Sequence, residues 1–228
     1  MDEDVQAAAA RLVRRLKEGG HTITVAESCT GGLLASSFTD IAGASQWFNQ
    51  SWVTYSNESK IQELSVKPET LESKGAVSAI VAMEMAQGAR ERANASLAIS
   101  ITGIAGPASD GTNKKVGMVY VGIASATWAN ADSTQIGGNR AENKIGFVHF
   151  ALLTAIRRYD IAMAKQEESE RAQDEARKAE VLAQAQFEID RAKRDAATRE
   201  AAPWRDDDFD GDGKPTGSED AIDSDVKW

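Results

Sequence analysis

The sequence predicts an α/β fold: a three-layer α/β/α sandwich with a mixed sheet, followed by a long C-terminal helix and an acidic tail. Three observations carry the prediction. β-rich runs alternate with helix-spaced segments through about residue 158, residues 160–202 contain neither Gly nor Pro, and the net charge turns strongly negative behind them. The expected organisation is a globular domain over 1–159, a charged extended helix over 160–202 and a tail over 203–228.

Taken in order, residues 4–18 place Val5, Ala8, Ala9, Leu12, Val13 and Leu16 at helical spacing, and Gly19-Gly20 stops the run. The segment 21–26 (HTITVA) reads as a strand, and a short helix starts beyond Gly31. Residues 51–55 (SWVTY) form a second strand, with a helix after it. An amphipathic helix over 78–92 leads into the strands 97–101 and 116–124, and another strand is expected near 127–136. A helix from about Arg140 to Arg158 closes the domain.

Composition narrows the function. With 42% hydrophobic and 27% charged residues, the 228-residue chain can bury a core. A net charge of −9 argues against a general nucleic-acid binder held by phosphate contacts. One cysteine rules out an internal disulfide and a cysteine-cluster metal site, and two distant histidines, His21 and His149, argue against a histidine-rich metal centre. The start is acidic and no apolar run reaches membrane-spanning length, so a soluble, cytoplasmic protein without membrane partners is expected. Charge balances to zero over 1–159; the excess lies behind Tyr159, at −3 over 160–200 and −6 over 201–228.

Three polar, glycine-bearing clusters each follow a strand: 26–32 (AESCTGG), 55–60 (YSNESK) and 102–107 (TGIAGP). Loops at strand ends are where α/β folds gather ligand chemistry. Ser28 or Thr30 at a strand–turn–helix junction is either a plain N-cap or a nucleophile beside free amides and a positive dipole end. Cys29 competes as a nucleophile but reads as a buried thiol, with no histidine near it in sequence. In the second cluster, Lys60 lies five residues past Tyr55, on the first turn of the following helix. A lysine held neutral by burial can serve as base to a serine; a surface lysine and a packed tyrosine are the plainer alternative.

The runs TVAESCTGG (24–32), WVTYSNESK (52–60), GAVS (75–78), SITGIAGP (100–107) and GGNR (137–140), in that order, resemble the CinA C-terminal domain family over roughly residues 5–158. That family includes nicotinamide-nucleotide amidases, which convert nicotinamide mononucleotide to nicotinate mononucleotide and ammonia. The resemblance implies Ser28 as nucleophile, Lys60 as base and Tyr55 assisting. It places Thr30 and the amides of Gly31 and Gly32 around the oxyanion and substrate, Thr102 and Gly103 on the opposite wall, and Arg140 on the anionic nucleotide. Glu27 and Asn57 are implied as hydrogen-bonding supports. The substrate is a small-molecule nucleotide, and the scheme requires no cofactor. The alternative is a CinA-like scaffold whose added tail mediates assembly or partner binding.

The chain departs from the family pattern in two places. Lys115 stands where members usually have proline before Val116-Gly117, and Asn143-Lys144 follow Arg140 where members usually carry a further arginine. Loss of that planar, bidentate donor is expected to weaken phosphate recognition. Thr102 stands where many members have serine, which keeps the hydroxyl.

Behind the domain, acid-first pairs such as Glu167/Arg171, Asp174/Lys178, Asp190/Arg194 and Asp195/Arg199 favour helix. A thin seam through Ala172, Ala176, Ala179, Leu182, Ala185, Ile189, Ala192 and Ala196 is expected to pack on another chain in a homo-oligomer or larger assembly; an alanine-heavy seam buries little area, so a solvated single helix is the alternative for the isolated chain. In the tail, Asp208, Asp210 and Asp212, with Gly213, Lys214 and Glu219, match the D-x-D-x-D-G-x5-E calcium-loop template, the only cofactor site expected there. Pro215 and the lack of a second loop count against it, and a solvated acidic tail is the alternative.

Overall fold

The computed structural model describes residues 2–109, 111 and 113–201. They fall into two compact units, one through Lys165 and one from Gln166 onward. The expected calcium loop, Asp208 to Glu219, lies outside the described residues.

The first unit holds α1 (Glu3–Glu18), β1 (Ile23–Glu27), α2 (Leu33–Thr39), β2 (Phe48–Val53), α3 (Asn57–Leu64), α4 (Pro68–Lys74), α5 (Ala79–Ala93), β3 (Leu97–Gly103), β4 (Met118–Ala124) and β5 (Ala129–Gln135). It ends on the first part of α6 (Arg140–Glu200). The sheet runs in the order β2-β1-β3-β4-β5. β2, β1 and β3 are parallel, while β4 and β5 join antiparallel, so the sheet is mixed.

Alternation along the strands builds the three layers. Ile23, Val25, Leu97, Ile99 and Ile101 point to the face covered by Leu12 and Leu16 of α1, Phe38 of α2 and Phe147, Leu152 and Ile156 of α6. Ala26, Ala98 and Ala124 point to the other face, under Leu64 of α3, Leu71 of α4 and Val81, Met85 and Ala89 of α5. Small strand residues on this second side let α5 lie close, and Ser100 Oγ donates to the Ala82 carbonyl.

Two elements differ from the sequence expectation. The strand expected over 51–55 runs from Phe48 to Val53. The Thr54 amide makes one last bond, to the Glu27 carbonyl at 2.8 Å, before Ser56 turns the chain by capping α3. Helix α4 carries no cap of its own; Glu84 of α5 accepts from the Lys67 amide at 3.0 Å and from Thr70 Oγ1 at 2.9 Å. A cap supplied from so far along the chain leaves no local signature.

α6 begins on a reciprocal cap: Asn139 Oδ1 accepts from the Ala141 and Glu142 amides, and Glu142 Oε2 accepts from the Asn139 amide at 2.8 Å. Within the first unit it is tied down by Arg15–Asp160 at 2.7 Å and by Asp132 with Arg158 and Arg157 at 2.9 and 3.1 Å.

In the second unit, residues from Gln166 to Glu200 are helical and exposed. The expected Glu167–Arg171 pair forms at 3.8 Å, but Asp190 accepts from Gln186 Nε2 in place of pairing with the Arg194 side chain. No helix among the described residues is long and apolar enough to cross a membrane.

Candidate active site

The chain leaves β1 toward one edge of the sheet to form β2, then crosses over to form β3 on the other side of β1. Outward connections therefore diverge from the carboxyl ends of β1 and β3, the position at which open α/β sheets bind ligands. Since β1, β2 and β3 are parallel, their carboxyl ends lie side by side, with Glu27 in register with Val53 and Ile101. The three polar clusters, which begin at 26, 55 and 102, are thereby brought to one end of the sheet.

At the centre, Lys60 Nζ lies 3.3 Å from Ser28 Oγ. Lys60 sits on the first turn of α3, its side chain 1% exposed. The same nitrogen contacts the carbonyls of Thr54 at 2.8 Å, Tyr55 at 3.3 Å and Ser56 at 3.4 Å. Burial withdraws water from the ammonium and lowers its pKa from 10.5 to about 8. Roughly a tenth of the lysine is then a neutral amine at pH 7, able to accept the Ser28 proton. Burial acts in the opposite sense on Cys29, raising its thiol to about 12, so the neighbouring sulfur stays protonated.

The turn that carries Ser28 is held by a buried carboxylate. Glu27 is fully buried; its Oε2 accepts from the Gly32 and Leu34 amides at 3.1 Å each, and its Oε1 from Ala35 at 2.8 Å. These bonds cap the start of α2 and oppose its positive dipole end. They correct the expectation that the Gly31 and Gly32 amides receive an oxyanion, because Gly32 donates to Glu27 and Gly31 donates to the Ser28 carbonyl at 3.1 Å. Among the described residues, the Thr30 amide has no acceptor, and the fully buried Thr30 Oγ1 has no partner.

Other expected residues take different places. Tyr55 offers its carbonyl to Lys60, while its side chain, 60% exposed, accepts from Arg140 Nη2 at 3.0 Å. Its phenol makes no hydrogen bond with Ser28 or Lys60. Arg140 Nη1 donates to the Gly106 carbonyl, so its guanidinium ties α6 to both walls of the site. Asn57 is exposed at the first position of α3, and its side chain makes no hydrogen bond among the described residues. Thr102 spends its hydroxyl on the Ala76 carbonyl at 2.8 Å. A β-carbon at Gly103 would meet the Met118 carbonyl oxygen at 2.7 Å, so this glycine serves strand packing.

Two neighbours lacked a clear sequence signal. Asn143 is fully buried and donates to the carbonyls of Ala105 and Gly138 at 3.1 and 3.0 Å, clamping the start of α6 to the third cluster. Lys144 reaches over the first cluster, where a β-carbon at Gly31 (φ +65°) would sit 3.7 Å from its Nζ. No group of three or more His, Cys, Asp or Glu able to hold a metal ion occurs among the described residues.

Fold and site together define a three-layer α/β protein with a buried serine–lysine pair at the carboxyl ends of parallel strands. The chain belongs to the CinA C-terminal domain family, whose model matches residues 5–159. It is 47% identical over 147 residues to a CinA-like protein of Chlorobium limicola, covering 62% of this chain and 34% of that one. It is 48% identical over 125 residues to the nicotinamide-nucleotide amidohydrolase PncC of Escherichia coli, covering 55% of this chain and 76% of that one. The crystal structure of the competence/damage inducible protein CihA from Agrobacterium tumefaciens superimposes with a TM-score of 0.66 at 36% identity, covering 69% of this chain and 96% of that one. The chain spans about a third of the length of the CinA-like proteins it matches.

Proposed function

We propose that this chain is a serine amidohydrolase that converts nicotinamide mononucleotide to nicotinate mononucleotide and ammonia. The observation that carries the reading is the 3.3 Å contact between Ser28 Oγ and the buried Lys60 amine. The similarity to an amidohydrolase of nicotinamide nucleotides supports the substrate.

In the proposed reaction, neutral Lys60 takes the Ser28 hydroxyl proton as Oγ bonds to the carboxamide carbon. The oxyanion faces the unengaged Thr30 amide and hydroxyl. Lys60 then protonates the amide nitrogen, the C–N bond breaks, and ammonia leaves an acyl ester on Ser28. Water attacks this ester, giving its proton to Lys60, and the same proton returns to Ser28 as nicotinate mononucleotide is released. These steps use Ser28, Lys60 and water alone. The test is ammonia release from nicotinamide mononucleotide by the full chain. Ser28→Ala should abolish it, whereas activity that survives Ser28→Ala and is lost in Cys29→Ala overturns the assignment.

A second role, assembly through the C-terminal helix, is favoured by Val181, Leu182, Phe187 and Ile189, which are 61, 71, 60 and 50% exposed. Replacing Leu182, Phe187 and Ile189 together by Glu in the full chain should lower the mass seen by light scattering. An unchanged mass removes this role.

A further inference from the structure

We propose that the stretch of α6 from Gln166 to Glu200 binds a second copy of itself as an antiparallel coiled coil, with Ala179 of each copy facing Leu182 of the other; this rests on the assembly role of the same helix. Ala172, Ala179, Gln186 and Lys193 recur every seven residues on α6. Glu168, Glu175, Leu182 and Ile189 recur at the same interval, and Glu175, Leu182 and Ile189 each follow a member of the first set by three residues. That alternation of three and four keeps one face of a helix against a partner. The face is open: Leu182 and Ile189 are 71 and 50% exposed.

Charge chooses the direction. In a parallel, in-register pair Glu168, Glu175 and Lys193 would each face their own copy, like charge on like. Reversing one helix about a point between Glu180 and Val181 places Glu168 opposite Lys193, Ala172 opposite Ile189, Glu175 opposite Gln186 and Ala179 opposite Leu182. Twofold symmetry repeats each layer on the other side of the centre. Each carboxylate of the face then meets an ammonium or an amide, and each large apolar side chain meets an alanine, which lets the helices come close. Glu168, Glu175 and Lys193 make no ion pair or side-chain hydrogen bond among the described residues, so none gives up a partner. Gln186 Nε2 donates to Asp190 at 2.9 Å and keeps a second N–H for Glu175 of the other copy. Outside the face, Glu167 and Glu170 come level with Arg194 and Arg191 of the other copy. Leu182 and Ile189 supply the apolar burial, and the charged and amide layers set direction and register.

The test uses the full chain. Under mild oxidation, a chain carrying Ala172→Cys mixed with one carrying Ile189→Cys should cross-link into a dimer, and neither should do so alone. The native Cys29 is buried and does not compete. Each variant cross-linking to itself means parallel pairing and overturns the proposal, as does the absence of any cross-link. Lys193→Glu should weaken dimerisation roughly tenfold by sedimentation equilibrium, because it turns two attractive layers into repulsive ones. Adding Glu168→Lys to that variant should bring the affinity back to within about threefold of native. No loss in Lys193→Glu, or no recovery in the double variant, overturns the proposal. The assembly role is judged apart, by the replacement of Leu182, Phe187 and Ile189 by Glu. An unchanged mass there removes the role and this pairing with it; a lowered mass without the mixed cross-link keeps the role and overturns the antiparallel pairing.

Discussion

Lys60 Nζ touches Ser28 Oγ on one side and the carbonyls of Thr54, Tyr55 and Ser56 on the others. The three carbonyls hold the amine in place, while burial makes its proton easier to remove. Position and basicity thus come from two separate features of one short segment, the Thr54–Ser56 turn and the α3 helix that follows it.

Turnover should therefore follow the neutral fraction of Lys60. With a pKa of about 8, kcat rises roughly tenfold for each pH unit below 7 and levels above 9. Lys60→Arg should be inactive across this range, because a guanidinium does not deprotonate there. A pH–rate profile that is flat between 6 and 9 contradicts Lys60 as base.

The same shift is a statement about stability. Lys60 has a folded pKa of about 8 against 10.5 in the unfolded chain, so the unfolded state binds more protons between these values and stability rises with pH across that window. The full difference is about 3 kcal/mol, an unfavourable contribution present below pH 8 and relieved above 10.5. Relative to Lys60→Met, the native protein should gain stability in urea titrations as pH rises from 7.5 to 10. A constant gap between the two proteins contradicts the shift.

Tyr55→Phe separates the two ends of that residue. The carbonyl that holds Lys60 remains, while the hydroxyl that accepts from Arg140 is lost. The expected outcome is kcat within about threefold of native, since the phenol touches neither member of the pair, and a modest rise in KM. A loss of kcat by two or more orders of magnitude assigns the phenol a direct part in the chemistry.

The layers were readable from sequence because strand alternation and the α1 stripe through Leu12 and Leu16 are local patterns. Ser28 and Lys60 were named through the order of five motifs; spacing alone left Lys60 equally a surface residue. What stayed hidden depends on the direction of side chains after folding. Tyr55 turns outward to Arg140, Thr102 turns to Ala76, and Glu27 turns under α2, none of which a linear spacing encodes. Lys144 read as the loss of an arginine, and its place over Gly31 emerged only when α6 was laid across the first cluster.

Glu27→Gln should show how far the Ser28 turn depends on the carboxylate beneath it. Both oxygens accept backbone amides, Gly32 and Leu34 on one and Ala35 on the other. An amide side chain has one acceptor oxygen, and its NH2 must face at least one amide hydrogen in a buried place. Each buried donor left without an acceptor costs about 1–3 kcal/mol. For a domain of this size, about 1 kcal/mol corresponds to roughly 2–4 °C in Tm, so a fall on the order of 5–10 °C is expected by calorimetry. Because the affected amides begin three residues beyond Ser28's neighbour Cys29, kcat should fall while KM changes little. A Tm within about a degree of native, with kcat intact, means that the Ser28 turn keeps its shape without this carboxylate.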